Sequence, residues 1–144
     1  MRTLVEVDAR TLTGPALSWA VAQCLKKKVT YHDRDGPITY LYAYNGNTDS
    51  FDTPYYPSSN WAEAGPIIDQ EGIDLYCGLV GQPDHPDPAW RTSSWRAKYH
   101  RMGVGQDAVF GPTAIVAALR CFVIFHLGRQ VKVPKRLLNL EEGY

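Results

Sequence analysis

The sequence predicts an α+β fold: an antiparallel sheet of about four strands with two long helices packed on one face and a short helix in the 60–70 segment. Three observations carry this. LTGPALSWAVAQCLKKK (12–28) and GPTAIVAALRCFVIFHLG (111–128) both hold a Gly-Pro step at the start and then repeat apolar residues at helical spacing. VTYHDRDGPITYLYAY (29–44) alternates about an Asp-Gly turn, the usual mark of a hairpin. RTSSWRAKYHRM (91–102) alternates again.

Taken in order, the first helix has Thr13 at its N-cap, Pro15 in a first turn that needs no N–H, and Leu17, Val21 and Cys24 on one face. Lys26, Lys27 and Lys28 close it, where cations suit the negative end of the dipole. In the hairpin, period two places Tyr40, Tyr42 and Tyr44 on one face and Thr39, Leu41 and Ala43 on the other. NGNTDSFDTPYYPSS (45–59) reads as a loop by composition. Asn60 followed by Glu63 has capping-box spacing. Gly65-Pro66 then predicts a break, with one short helix at 61–64, another at 66–70, and Gly72 as the stop. IDLYCGLV (73–80) reads as a strand, GQPDHPDPAWRT (81–92) as an exposed connector, and Gly128 as the end of the second long helix. The two helices are expected side by side, their alanines permitting close approach. Residues 129–144 read as a partly extended tail that packs one short piece and then frays.

The totals bound the class. The chain has 144 residues, of which 44% are hydrophobic and 12% aromatic, so one domain over 1–144 with its own core is expected. Its 15 basic and 15 acidic residues balance, which argues against a general polyanion binder. Cys24, Cys77 and Cys121 lack zinc or disulfide spacing and read as buried or neutral thiols in a reducing compartment. The N-terminus is not a leader by composition. Arg120 and His126 interrupt the longest apolar run, so no membrane association is expected.

Three blocks in this order, LTGPALSWAVAQC, YYPSSNWAEAGPIIDQEGIDL and FGPTAIVAALRCFVIFHLG, resemble a family of small phage and prophage proteins that includes NinX of lambdoid phages. Ser18 stands where that pattern commonly has an acid, and Ala64 replaces the first glycine of its Gly-Gly-Pro step. The resemblance implies a phage origin and action in the cytoplasm of an infected bacterium. It implies no reaction.

Motifs for hydrolases, zinc proteases and nucleotide-binding loops are absent, and no catalytic residue, metal ligand or cofactor is assigned. His85, within Asp-His-Pro-Asp, reads as part of a solvated connector. Binding chemistry is denser. Tyr55, Tyr56 and Trp61 flank Pro57-Ser58-Ser59-Asn60, offering flat rings beside hydroxyls and free N–H groups suited to an oxyanion. Trp61 equally suits a core position beneath the helix. Trp95, Arg96 and Lys98 add rings and charge, and Arg120 suits either a phosphate contact or an ion pair with Asp69 or Glu71. The candidate ligand contacts are therefore Tyr55, Tyr56, Ser58, Ser59, Asn60, Trp61, Trp95, Arg96, Lys98 and Arg120.

This inventory suits a small nucleotide-like ligand. With the implied phage origin, it leads to a non-enzymatic sponge that sequesters a nucleotide-derived host immune signal, of cyclic nucleotide or cyclic ADP-ribose type, by analogy with phage proteins of that kind. A nucleic-acid- or protein-binding accessory of phage development is the alternative, and a nucleotide-acting enzyme the third class. The tyrosine face of the hairpin, left uncovered, predicts a homo-oligomer, most simply a dimer.

Overall fold

The structure is a computed structural model and describes residues 3–33, 36–77, 84, 86, 95–101 and 108–144. Asp35, His85, Arg91 and most of the 81–92 connector lie outside the described residues. In chain order the elements are β1 (Leu4–Asp8), α1 (Gly14–Leu25), β2 (Val29–Asp33), β3 (Ile38–Asn45), β4 (Ser50–Pro54), α2 (Trp61–Glu71), β5 (Ile73–Cys77), β6 (Trp95–Tyr99), β7 (Val109–Gly111), α3 (Ala114–Leu127), β8 (Gln130–Pro134) and β9 (Glu141–Glu142). Short 3-10 turns lie at Ala9–Thr11, Pro57–Ser59 and Lys135–Leu137.

The mixed helix and strand content agrees with the sequence, but among the described residues the strands form three sheets rather than one, and one of these has the four strands expected. β1 pairs with β8, β5–β6–β7 form an antiparallel meander order, and β2–β3–β4 form a third sheet that β9 joins through β3. The expected hairpin is present, with Val29 opposite Ala43 and Asp33 opposite Thr39. Its alternation also holds: Thr39, Leu41 and Ala43 are buried, while Tyr40 and Tyr42 are half-buried and Tyr44 is exposed.

α1 and α3 pack together, α3 lies against the β5–β6–β7 sheet, and α2 packs on α3. Leu17, Val21, Leu119 and Val123 are fully buried among Ala20, Ala117 and Ala118. Small side chains there let the two helix backbones close in. Thr113 caps α3 by accepting from the Val116 N–H at 3.1 Å, and Gly72 ends α2 in the left-handed region at φ 67°.

Several expectations are corrected. Thr13 sits at the N-cap of α1 but makes no side-chain capping bond. Residues 45–59 are not all loop, since Ser50–Pro54 pair with β3. Their polar composition reflects an edge strand with mostly exposed side chains. α2 runs unbroken through Pro66. Gly65 has no Cβ to clash with the proline ring, and Ala62 and Pro66 are exposed, so the carbonyl left without its helical donor is open to water. Cys77 is exposed, whereas Cys121 is buried and Cys24 half-buried. Burial pushes both of the latter thiols up to about 12. The tail does not fray: β8 pairs with β1, and the last four residues return to the start of β3.

Candidate functional site

The Tyr55–Asn60 wall sits where three stretches of chain meet: the first turns of α1, the 3-10 turn before α2, and the C-terminal tail. Asn60 caps α2, its side-chain oxygen accepting from the Ala62 N–H at 3.0 Å. Glu63 does not close the capping box on Asn60. Its carboxylate reaches further back and accepts from the Tyr56 N–H at 2.9 Å, which pins the entrance to the 3-10 turn. Ser58 is buried and ties that turn to α1: its N–H donates to Ser18 Oγ at 3.3 Å and its hydroxyl donates to the Gly14 carbonyl at 3.2 Å.

The tail completes the arrangement. Glu141 and Glu142 pair in parallel with Ile38 and Thr39 of β3, and the Gly143 N–H donates to the Thr39 carbonyl at 2.9 Å. The Glu142 carboxylate accepts from the Ser18 hydroxyl on one oxygen and from the Ser59 hydroxyl, at 2.7 Å, on the other. The Tyr144 ring stacks on Tyr56 at 4.2 Å between centroids and 19° between planes. Tyr40 meets it edge-on at 5.3 Å, and the Tyr144 hydroxyl donates to the Leu41 carbonyl. Part of the tyrosine face is thus covered by Tyr144.

Glycines permit this approach at two points. Gly14 has φ +55°, and a Cβ there would come within 2.7 Å of the Leu140 carbonyl oxygen. A Cβ on Gly143 would meet the Tyr40 ring at 2.4 Å. The groove over the site, about 340 Å³, is lined by Thr13, Gly14, Ser58, Ser59 and the tail itself.

The electrostatics are those of an acid held by neutral donors. Burial raises the Glu142 carboxyl above its ordinary range, and the Ser18, Ser59 and Ser58 hydroxyls counter this in part. Burial also raises Glu63, the Tyr56 N–H opposes that, Glu142 adds to it, and Lys27 draws it back down. Among the described residues no Lys or Arg forms a salt bridge with either acid. Tyr55 is 4% exposed, and among the described residues its hydroxyl has no hydrogen-bond partner. Burial chiefly raises its pKa, with Glu63, Cys24 and Glu142 adding to the shift.

A pH dependence follows. Both acids bind protons more tightly in the folded state, so their contribution to docking is full below the unfolded carboxylate range, near 4.5, and is lost as pH rises through their raised values. The tail is expected to dock most firmly in mild acid. Two-dimensional NMR of Gly143 and Tyr144 should show the docked signals weakening as pH rises from about 4.5 toward neutrality, with Glu142→Gln flattening most of the change. Signals unchanged by pH in the native chain would contradict it.

The other sequence candidates are not all gathered here. Trp61 opens α2 and is 55% exposed, so it is not a core residue. A helix N-terminal position just after a polar turn leaves its ring on the solvent side. Trp95, Arg96 and Lys98 lie on β6, where Arg96 and Lys98 sit over the Tyr76 ring at 5.3 and 5.6 Å, on a different sheet from β3. Arg120 is 9% exposed and makes neither of the expected ion pairs. Its Nε donates to the Leu12 carbonyl at 2.8 Å and its Nη1 to the Phe110 carbonyl at 2.9 Å. Ser18, Glu63, Glu142, Tyr40 and Tyr144 were missed by sequence reasoning. Glu-Glu-Gly-Tyr carries an acid and a ring about a glycine, but no local pattern indicates its target.

Fold and site define a small α+β protein that holds an acidic group and an aromatic ring side by side at the junction of a helix N-terminus, a 3-10 turn and a sheet edge. A family model described as "Bacteriophage P22, NinX" matches residues 9–126, and the chain belongs to that family. The match ends before the tail that fills the site. No curated protein matches the chain. Among the described residues, no helix is long and apolar enough to cross a membrane and no side-chain cluster could hold a metal ion.

Proposed function

We propose that this phage protein is a non-enzymatic binder that sequesters a small nucleotide-derived immune signal, of cyclic nucleotide or cyclic ADP-ribose type, in the cytoplasm of the infected host. The observation that carries this reading is the convergence of the Ser18 and Ser59 hydroxyls on one carboxylate, next to a ring stacked on Tyr56. Hydroxyl donors suit an oxyanion and a stacked tyrosine suits a base. A twofold dimer through the exposed end of the tyrosine face, at Tyr44 and Phe51, belongs to the same proposal.

The test is a thermal-shift screen against cyclic nucleotides and cyclic ADP-ribose isomers, followed by chromatography of the ligand released on denaturation. Intact ligand is expected. Tyr56→Ala and Ser59→Ala should each weaken binding by about tenfold, a loss on the order of 1.4 kcal/mol. Recovery of a product would make the protein an enzyme, and strongly salt-dependent binding of DNA or RNA instead of small nucleotides would favour a nucleic-acid accessory.

A further inference from the structure

We infer that Glu142–Gly143–Tyr144 is a tethered occupant of the proposed ligand site, and that the ligand displacing it is a monoanion bearing a planar ring, of which a cyclic phosphodiester nucleotide is the fitting chemistry; this rests on the binding reading above. The tail makes the same kinds of contact such a ligand needs. Its carboxylate takes the Ser18 and Ser59 hydroxyls, its glycine lies flush with the Tyr40 ring, and its ring stacks on Tyr56. The segment is held to β3 over a short stretch, with Glu141 and Glu142 in register and the Gly143 N–H on the Thr39 carbonyl, so few backbone bonds hold it down. What holds it is mostly what a ligand could replace.

The tail also fits imperfectly. Both of its carboxylate oxygens are taken by serines, and the buried Tyr55 hydroxyl is left without an acceptor. An unsatisfied buried donor is costly. A phosphodiester carries more oxygens than the two that the serines hold on the carboxylate. Charge narrows the class further. The cradle consists of neutral donors, Glu63 faces it, and Lys27 lies over the Tyr55 ring at 5.7 Å, with no cation paired to the bound acid among the described residues. Burial already works against one negative charge there, and the hydroxyls offset it only in part. A second, as on a phosphomonoester or a diphosphate, meets Glu63 without compensation. Among the signals considered above, this favours the cyclic phosphodiester over the ADP-ribose type.

The experiment uses cyclic AMP, AMP, ADP-ribose and a synthetic peptide of residues 138–144, LNLEEGY, measured by calorimetry against three proteins. These are the full chain, the chain ending at Leu140, and full-length Gly143→Val, whose added side chain would strike the Tyr40 ring and expel the tail without shortening it. Both variants are expected to bind cyclic AMP about tenfold or more tightly than the full chain, because the competing state is removed. The shortened chain should bind LNLEEGY, cyclic AMP should displace it, and the same peptide with valine for glycine should not bind. AMP and ADP-ribose should bind more weakly than cyclic AMP. Equal affinity of all three proteins for cyclic AMP overturns the tail's role and leaves the binding reading standing. Peptide binding without any nucleotide binding upholds the docked tail but overturns the nucleotide class and the function proposed on it. Tighter binding of ADP-ribose or AMP overturns the charge argument alone. Failure of the peptide to bind either variant overturns the tail as occupant.

Discussion

Arg120→Ala is expected to cost about 3–5 kcal/mol of folding stability, read as a lower urea midpoint at unchanged slope. The guanidinium reaches from α3 to the Leu12 carbonyl, just ahead of α1, and to the Phe110 carbonyl on β7. Truncation leaves both acceptors without that donor at a site where the arginine is 9% exposed. Arg120→Lys should recover only part of the loss, because a single ammonium cannot span two carbonyls as the planar fork does. A loss below about 1 kcal/mol for the alanine variant would show that water replaces the arginine freely and that the residue is available for a ligand after all.

Tyr99→Ala should cost a similar amount, about 3–5 kcal/mol, and Tyr99→Phe only about 1 kcal/mol. Tyr99 is fully buried on β6, with its ring 4.3 Å from that of Phe125. Its hydroxyl donates to the Glu71 carboxylate at 3.0 Å, which also meets His126 Nε2 at 2.7 Å. The alanine variant empties a ring-sized space between β6 and α3, whereas phenylalanine removes one bond from an acid that keeps its histidine. Equal losses for the two variants would place the energy in the hydroxyl rather than the ring. The same contact sets an acid limit. The His126 hydrogen bond chiefly lowers the Glu71 carboxyl, so the stability it contributes is present above the unfolded carboxylate range and is lost as pH falls through the lowered value. This runs opposite to Glu142 and Glu63, so the tail and the global fold are expected to answer pH in opposite directions.

Legibility followed range. α1, α3, the β2–β3 hairpin and the alternation of β6 were readable because caps, turns and side-chain period are written in neighbouring residues. Ser50–Pro54 was misread because an exposed edge strand carries the polar composition of a loop. The break at Pro66 was misread because the rule against helical proline assumes a preceding Cβ and a carbonyl shut off from water, and Gly65 with an exposed Ala62 removes both conditions. Within the site, Tyr56, Ser58 and Ser59 stood out as aromatic and hydroxyl groups packed into one turn. Trp61 was read as suiting the core as well as the ligand wall, yet its place at the first turn of α2 turns it outward.

By itself, then, the sequence determined α1 and α3, the hairpin, the family resemblance and the polar turn that forms one wall of the site, since each depends on residues a few positions apart. The tertiary structure alone decided that Ser18 and Ser59 share an acid with the tail, that Tyr144 fills the Tyr56 stack, and that Arg120 clips backbone rather than an ion pair. Those contacts join residues far apart along the chain. They form only after the sheets and helices have fixed where the free backbone acceptors and the open sheet edge lie, and no local propensity encodes that placement.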